Sequence, residues 1–386
     1  MWIFEKKDWP NFIWDDKALA SLLAEARHRQ GRLLGKMEVL GFPIRQEASL
    51  NILTTDVVTS SAIEGEKLDT DEVRSSIARR LGIPLQNDKP VGRDVEGIVE
   101  MMLDATQKFD RALTAERLFD WHAALFPTGR SGMHRITVGA WRPAEAGPMQ
   151  VVSSPIGRET VHYEAPESSS LDAEMTKLLS WFETDLKLDP VLKAGIAHLW
   201  FVTIHPFEDG NGRIARAIAD MALARADGTS SRFYSMSRQI EQERKAYYTQ
   251  LERQQKGSVD ITSWLSWFLN CFTRAVVNAE DTLSSVLFKA ELWNRINPDP
   301  VNERQRHIIN PMLDNFKGHM TTSKYAKCTK CSSDTALRDL RELVARHILI
   351  QNPGGGRSTS YRLITAEELE QTGDRVMSTS HLSGYT

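Results

Sequence analysis

The stretch that most constrains how this chain can fold lies between Val191 and Ala226. Val191 to Ile204 is apolar, with Ala194, Ala197, Leu199, Phe201 and Val202, and predicts a buried helix. Pro206 ends it, because proline has no N–H and its ring clashes with the preceding turn. Gly210-Asn211-Gly212 then predicts a tight loop in which both glycines can take positive φ, a conformation Asn tolerates better than most residues. Arg213 to Ala226 predicts the next helix, with Ile214, Ala217, Ile218, Met221 and Ala222 on its buried side. Two packed helices joined by a glycine loop are therefore expected.

Chemistry concentrates at the same loop. Exposed backbone N–H groups and the helix dipole make a helix N-terminus an anion site. Arg213 and Arg216 add fixed positive charge one turn apart. Asp209 offers oxygen ligands of the kind magnesium prefers. His205 stands at the rim, where it can take a proton. A connecting loop often holds Gly and Asn, but these residues together serve no packing purpose. They specify a nucleotide–metal site with a general base.

The run His205-Pro206-Phe207-Glu208-Asp209-Gly210-Asn211-Gly212-Arg213-Ile214-Ala215-Arg216 resembles the Fic family motif, His-x-Phe-x-Asp/Glu-Gly-Asn-Gly-Arg-x-x-Arg, at every fixed position. The resemblance implies transfer of AMP from ATP to a hydroxyl side chain of a target protein, with ATP and Mg2+ as cofactors. It implies that His205 deprotonates that hydroxyl and that Asp209 binds magnesium on the α- and β-phosphates. Gly210, Asn211 and Gly212 would cradle the phosphates. Arg213 would hold the β-phosphate and Arg216 the γ-phosphate. Pro206, Phe207 and Glu208 complete the expected ATP-binding run, with Glu208 pointing away from the metal. Attack on phosphorus needs a positioned nucleophile and charge neutralisation more than covalent help, so the residues suit the reaction.

Upstream, Glu47 to Glu64 predicts a helix, with Leu50, Leu53, Val57, Val58 and Ile63 at helical spacing and Gly65 as the residue that ends it. Glu64 then lies where the helix dipole disfavours an anion, and Ser60 sits one turn earlier on the same face. Ser60 to Gly65 resembles the inhibitory motif of Fic proteins, Ser/Thr-x-x-x-Glu-Gly/Asn. That resemblance implies that Glu64 pairs with Arg216 and intrudes where the γ-phosphate belongs; an ordinary exposed helix end is the alternative. Ser60 to Arg80 and the aromatic opening Trp2, Phe4, Trp9, Phe12 and Trp14 also look like the N-terminal domain of many bacterial Fic proteins.

Elsewhere, residues 92–110, 114–126, 171–186 and 260–287 predict helices, and His122 is expected to be packed or solvated. Residues 149–153 and 160–163 predict a hairpin. By resemblance this is a flap that aligns a hydroxyl-bearing target protein by strand addition, against the alternative of a plain surface hairpin. Tyr247 and Tyr248 resemble the helix beside the adenine, and would equally suit a core. From about Pro298 the order helix, helix, helix, hairpin resembles a winged helix. Lys324, Lys327, Lys330, Arg338, Arg341 and Arg357 could meet DNA phosphates over residues 318–365. Asp334, Asp339 and Glu342 dilute that charge and favour a packing or dimerisation module. Cys328-x-x-Cys331 lacks the second ligand pair of a zinc site.

A chain of 386 residues should hold two or three domains. Its 41% hydrophobic and 26% charged residues are those of a globular protein, no apolar run is long enough to span a bilayer, and the N-terminus has no signal-peptide pattern. A net charge of −3 gives no reason for general nucleic-acid binding, and three cysteines make no disulfide framework, so a cytoplasmic protein is expected. The expected fold is mainly α: an N-terminal helical domain (1–90), a Fic-type helical core with a β-hairpin flap (91–290), a C-terminal winged helix (291–370) and a tail (371–386). The expected function is AMP transfer self-inhibited by Glu64, acting on a protein docked on the flap or on the chain itself, in a homodimer. Removal of AMP, a different phosphate-containing donor, or a DNA-binding regulator are the alternatives.

Overall fold

Four helices fill most of the first 110 residues: α1 (Asp16–Glu38), α2 (Phe42–Ile63), α3 (Thr70–Leu81) and α4 (Arg93–Gln107), α2 being helical despite its many β-branched residues because it is buried on several sides. Their ends are set locally. Asp69 caps α3 by accepting from the backbone N–H groups of Asp71 and Glu72, and left-handed Gly82 closes it. The structure is a computed structural model that describes all residues except 39, 86–88, 154–159, 185–186, 297–298, 314–317, 354–358 and 370–386. The turn of the expected hairpin at 149–163, Arg357 and the 371–386 tail therefore lie outside the described residues.

After α5 (Ala115–Leu125) come two short hairpins: β1 (Arg130–Ser131) with β2 (His134–Arg135), then β3 (Gln150–Ser153) with β4 (Thr160–Glu164), all antiparallel. The helices α6 (Leu171–Glu183), α7 (Pro190–Ile204), α8 (Asn211–Asp227), α9 (Met236–Gln242), α10 (Arg244–Gln255) and α11 (Thr262–Ile296) follow. The chain divides into two compact units, Met1–Thr282 and Leu283–Thr386. In the first, α7 and α8 form the central pair, with α4, α5 and α2 on α8 and α6 on α7. The aromatic opening packs there too: Trp9 and Phe12 set their rings edge-on to Trp200, and Trp2 meets Tyr163. Strand-like bonds between Ile13 and the Val259–Ile261 segment pin the arm.

A buried polar cluster fastens α2 to the rest. Asp56 on α2 accepts from the Ser235 hydroxyl and the Ser237 backbone N–H, while Arg232 pairs with Asp220 on α8 at 2.9 Å and with Asp227 at 3.2 Å. Burial and the neighbouring Asp56 push the Asp220 carboxyl well above the usual range.

The second unit holds α12 (Glu303–Leu313), β5 (Met320–Thr321), α13 (Thr322–Thr329), α14 (Ser333–Ala345), β6 (Leu349–Gln351) and β7 (Ser360–Leu363). Its sheet has the order β5-β7-β6, with Met320 opposite Tyr361 and Ile350 opposite Arg362. The short strand β5 was not expected; two residues carry no readable period. Asp339 corrects another expectation. It is buried, with Arg304 at 2.8 Å and the Tyr325 hydroxyl at 3.0 Å, so it does not dilute the surface charge. The helix expected to end at Leu287 runs on to Ile296, because Leu292 and Ile296 continue into the core of this unit. Among the described residues, no helix is long and apolar enough to cross a membrane.

Candidate active site

His205 follows the last residue of α7 and is itself left-handed, at φ 52 and ψ 58. A non-glycine residue holds that conformation only where its surroundings enforce it. Its N–H closes the helix on the Phe201 carbonyl at 3.0 Å. Its Nδ1 lies 3.1 Å from the Val202 carbonyl. A carbonyl can only accept, so Nδ1 carries the proton and Nε2 keeps a free lone pair. Burial holds the imidazole below its usual pKa, with the Arg142 charge acting the same way; the Val202 bond, Glu64 and Asp209 oppose the shift. His205 lines a cleft of about 750 Å³ with Glu64, Asp209, Gly210, Tyr247 and Tyr248, and with hairpin residues such as Val151.

The motif loop is braced from inside. The Asn211 side chain accepts from the Phe207 N–H at 3.0 Å and donates to the Phe207 carbonyl at 2.8 Å. The Phe207 ring turns into the core and stacks on His122, with centroids 4.2 Å apart and planes within 8°. His122 is fully buried, its pKa pushed down to about 4 by burial, and it is neutral and packed. The expectation for the two glycines needs correction. Gly210 has φ +81, but Gly212 lies inside α8, which starts at Asn211. Gly212 is required for space: a Cβ there would collide with Oε1 of Glu64.

That collision marks where Glu64 sits, directly over the N-terminus of α8. Its Oε1 is 2.8 Å from Nη1 of Arg216. Arg216 is buried, and it donates from Nε to the Ser60 hydroxyl at 3.0 Å and from Nη2 to the Ser60 carbonyl at 2.8 Å. The structure thus brings Ser60, Glu64 and Arg216 together. Gly65, at φ +89, turns the chain sharply after Glu64. Glu66, which the sequence reading passed over, reaches Nη1 of Arg213 at 2.7 Å. Two carboxylates two residues apart occupy two arginines one turn apart. The signal was present in Glu64-Gly65-Glu66, but only the turn at Gly65 gives it meaning.

Asp209 keeps its carboxylate at the cleft. One oxygen accepts from its neighbour's N–H at 2.6 Å and the other from the Ser131 hydroxyl. Glu208 accepts from the Thr137 N–H at 2.6 Å and, like Asp209, lines the cleft. Tyr247 is buried, its hydroxyl 2.9 Å from Nε2 of His198, whose pKa burial and Arg216 push down to about 3. Tyr248 is more open and donates to the Ile63 carbonyl at the end of α2 at 3.3 Å. The hairpin stands over the same cleft. The Tyr163 hydroxyl ties it to the Thr203 carbonyl, and Val151, Val152 and Val161 are left exposed.

Residues 112–223 match the Fic/DOC family, and residues 2–83 match a domain of unknown function, DUF4172. The chain is similar to protein adenylyltransferase fic-1 of Caenorhabditis elegans, 31% identical over 169 residues, which is 43% of this chain and 30% of that protein. It is also similar to protein adenylyltransferase Fic of Culex quinquefasciatus, 25% identical over 220 residues, 56% of this chain and 39% of that protein. The chain thus spans well under half the length of these curated relatives. Among solved structures, a Fic family protein from Desulfovibrio desulfuricans G20 shares the fold, with a TM-score of 0.52 at 20% identity, covering 90% of this chain and 96% of that chain. His205, Asp209, Arg213 and Arg216 of the helix–loop–helix lie within the residues that match the Fic/DOC family.

Proposed function

We propose that this protein transfers AMP from ATP to a hydroxyl side chain of a protein and is held silent by Glu64. The observation that carries the reading is the placement of Glu64 on Arg216 over the α8 N-terminus, in the cleft that His205 lines. A carboxylate in that position occupies the ground a terminal phosphate needs. The curated relatives bear the name protein adenylyltransferase, which agrees.

The steps follow from the residues. Nε2 of His205 takes the proton of the target hydroxyl. The oxygen attacks the α-phosphorus, a new P–O bond forms, the bond to the bridging oxygen breaks, and pyrophosphate leaves. The N-terminal N–H groups of α8 and the guanidinium groups of Arg213 and Arg216 neutralise the phosphates. A histidine kept neutral by its burial is a competent base near neutral pH. Among the described residues, no three ligating side chains cluster to hold a metal by themselves. One carboxylate at the cleft, Asp209, fits magnesium, which commonly takes its remaining ligands from phosphates and water. Bound there, it would neutralise phosphate charge. The exposed edge of the hairpin would pair with an extended target segment.

Residues 1–90, 91–290 and 291–370 are read as an inhibitory N-terminal domain, the catalytic core and a winged helix. Burial of Asp339 removes one of three acids from this surface and supports a second activity for the last: Lys327, Lys330, Arg338 and Arg341 are exposed, beside exposed Asp334 and Glu342. Salt-dependent retention of the full chain on duplex DNA tests this; retention that ignores salt would reject it. The transferase is tested by mass spectrometry after incubation with ATP and magnesium. The added mass of AMP should appear on the chain or on lysate proteins with Glu64→Gly, and vanish with Glu64→Gly/His205→Ala. No AMP with either would reject the reading.

A further inference from the structure

Arg142 is a buried cation with no carboxylate partner among the described residues. It is 3% exposed. Its Nε donates to the His205 carbonyl at 2.9 Å, its Nη2 to the Pro166 carbonyl, and its own N–H to the Pro206 carbonyl at 2.8 Å. No ion pair with any described residue offsets its burial, which pulls its pKa down; only the nearby Tyr163 acts the other way. A buried charge held by carbonyls alone is costly, and such an arrangement persists where it does something else. All three carbonyls belong to strategic places. His205 and Pro206 are the left-handed turn after α7, and Pro166 follows the hairpin strand β4.

We propose that Arg142 is the positioning residue of this site, holding the His205 backbone in its left-handed cap and tying that cap to the foot of the hairpin. The inference rests on the transferase reading for its kinetic readout alone. Without the guanidinium, the part-buried His205 carbonyl would lose its side-chain donor, and the left-handed turn would lose the bond that holds it. The imidazole that takes the proton and the hairpin that docks the target would then move independently. The positive charge beside the ring also favours the neutral imidazole. The other titratable groups lining the cleft with His205 are Glu64 at the end of α2, Asp209 and Glu208 in the loop, Tyr163 and His162 on β4, and Arg244, Lys245, Tyr248 and Glu252 with Tyr247 on α10. Burial pushes Tyr163, Tyr247 and Tyr248 up, so they stay neutral. Glu64 and Asp209 oppose Arg142's effect on the ring.

Arg142→Gln and Arg142→Lys separate the two roles in a Glu64→Gly parent. Lysine keeps the charge but cannot span both carbonyls; glutamine keeps neither. Arg142→Gln should lose about 100-fold in the rate of AMP incorporation, the cost expected of a misplacement of about 1 Å, with ATP affinity unchanged. Its acidic rate limb should move to higher pH. The His205 ring titration, followed by NMR and assigned by His205→Ala, should move up with it. Arg142→Lys should lose rate while its titration stays near the parent's. Full rate and an unmoved titration in Arg142→Gln would overturn the proposal. If Arg142→Gln does not fold, full rate in Arg142→Lys overturns it. A parent that transfers no AMP counts against the transferase reading and leaves the NMR comparison standing.

Discussion

Replacing Glu64 by glycine removes one carboxylate from a buried arginine, and the structure sets the scale of the effect. The Glu64 side chain is 30% exposed and that of Arg216 is 1% exposed, at 2.8 Å. A hydrogen bond between charged groups contributes about 1.5–3 kcal/mol, and partial exposure of Glu64 argues for about 2. On the proposed reading, ATP has to displace this bond to place its γ-phosphate on Arg216. Removing the carboxylate should therefore tighten productive ATP binding by about 2 kcal/mol, or about 30-fold. Labelled AMP incorporation at subsaturating ATP should rise at least as much, because a misplaced α-phosphate loses rate as well as affinity. The same change should destabilise the unliganded protein by about 1–2 kcal/mol, less than for a fully buried pair, since Ser60 still holds Arg216 through two bonds. A thermal melt should show Glu64→Gly below wild type without nucleotide and a larger upward shift with ATP. Arg216→Ala and the double variant should behave alike. Equal incorporation by wild type and Glu64→Gly would refute the reasoning; loss of AMP removal in that variant would point to the hydrolytic alternative.

Glu66→Ala should free Arg213. ADP, which has a β- but no γ-phosphate, should bind about fivefold tighter by calorimetry, the scale of a half-exposed ion pair, whereas Glu64→Gly should change ADP affinity less. Asp209→Asn should lose the magnesium dependence of AMP incorporation, while Glu208→Gln, whose carboxylate serves Thr137, should keep it; the reverse ranking would reject the metal assignment. His122 has its pKa pushed from 6.5 to about 4, so below pH 6.5 the unfolded chain binds a proton the folded one refuses. Stability should fall as pH drops from about 6.5 to about 4, by up to about 3 kcal/mol from this residue. His122→Phe, which keeps the stack on Phe207, should narrow the difference between urea midpoints at pH 7.5 and 5, and an unchanged difference would count against the assignment. His198 adds a loss of the same sign.

The helical core and its reactive loop were legible because their signals are local. An apolar run, a proline and a glycine loop need no distant partner to act, so the end of α7 and the opening of α8 follow from neighbours in the chain, whereas the left-handed turn at His205 is held by Arg142 from 63 residues away. The hairpin was legible from the same kind of signal, since β-rich residues flank turn formers. Ser60 and Glu64 were found through the resemblance, and their spacing of one turn already put them on one face.

Tertiary structure decided what depends on who sits opposite. Gly212 reads as a flexible loop glycine, yet it is helical, and its missing side chain makes room for a carboxylate from residue 64. Asp339 reads as a surface charge, yet Arg304 and Tyr325 bury it. Arg142 carries no sequence signal, since its partners are backbone carbonyls and every residue has one. Glu66 gains a role only because Gly65 turns it toward Arg213. The sequence by itself determined the helices, the glycine loop and the kinds of reactive group. Which acid meets which base was left to the packing of α2 against α8, because an ion pair depends on distance in space and residues 64 and 216 are far apart along the chain.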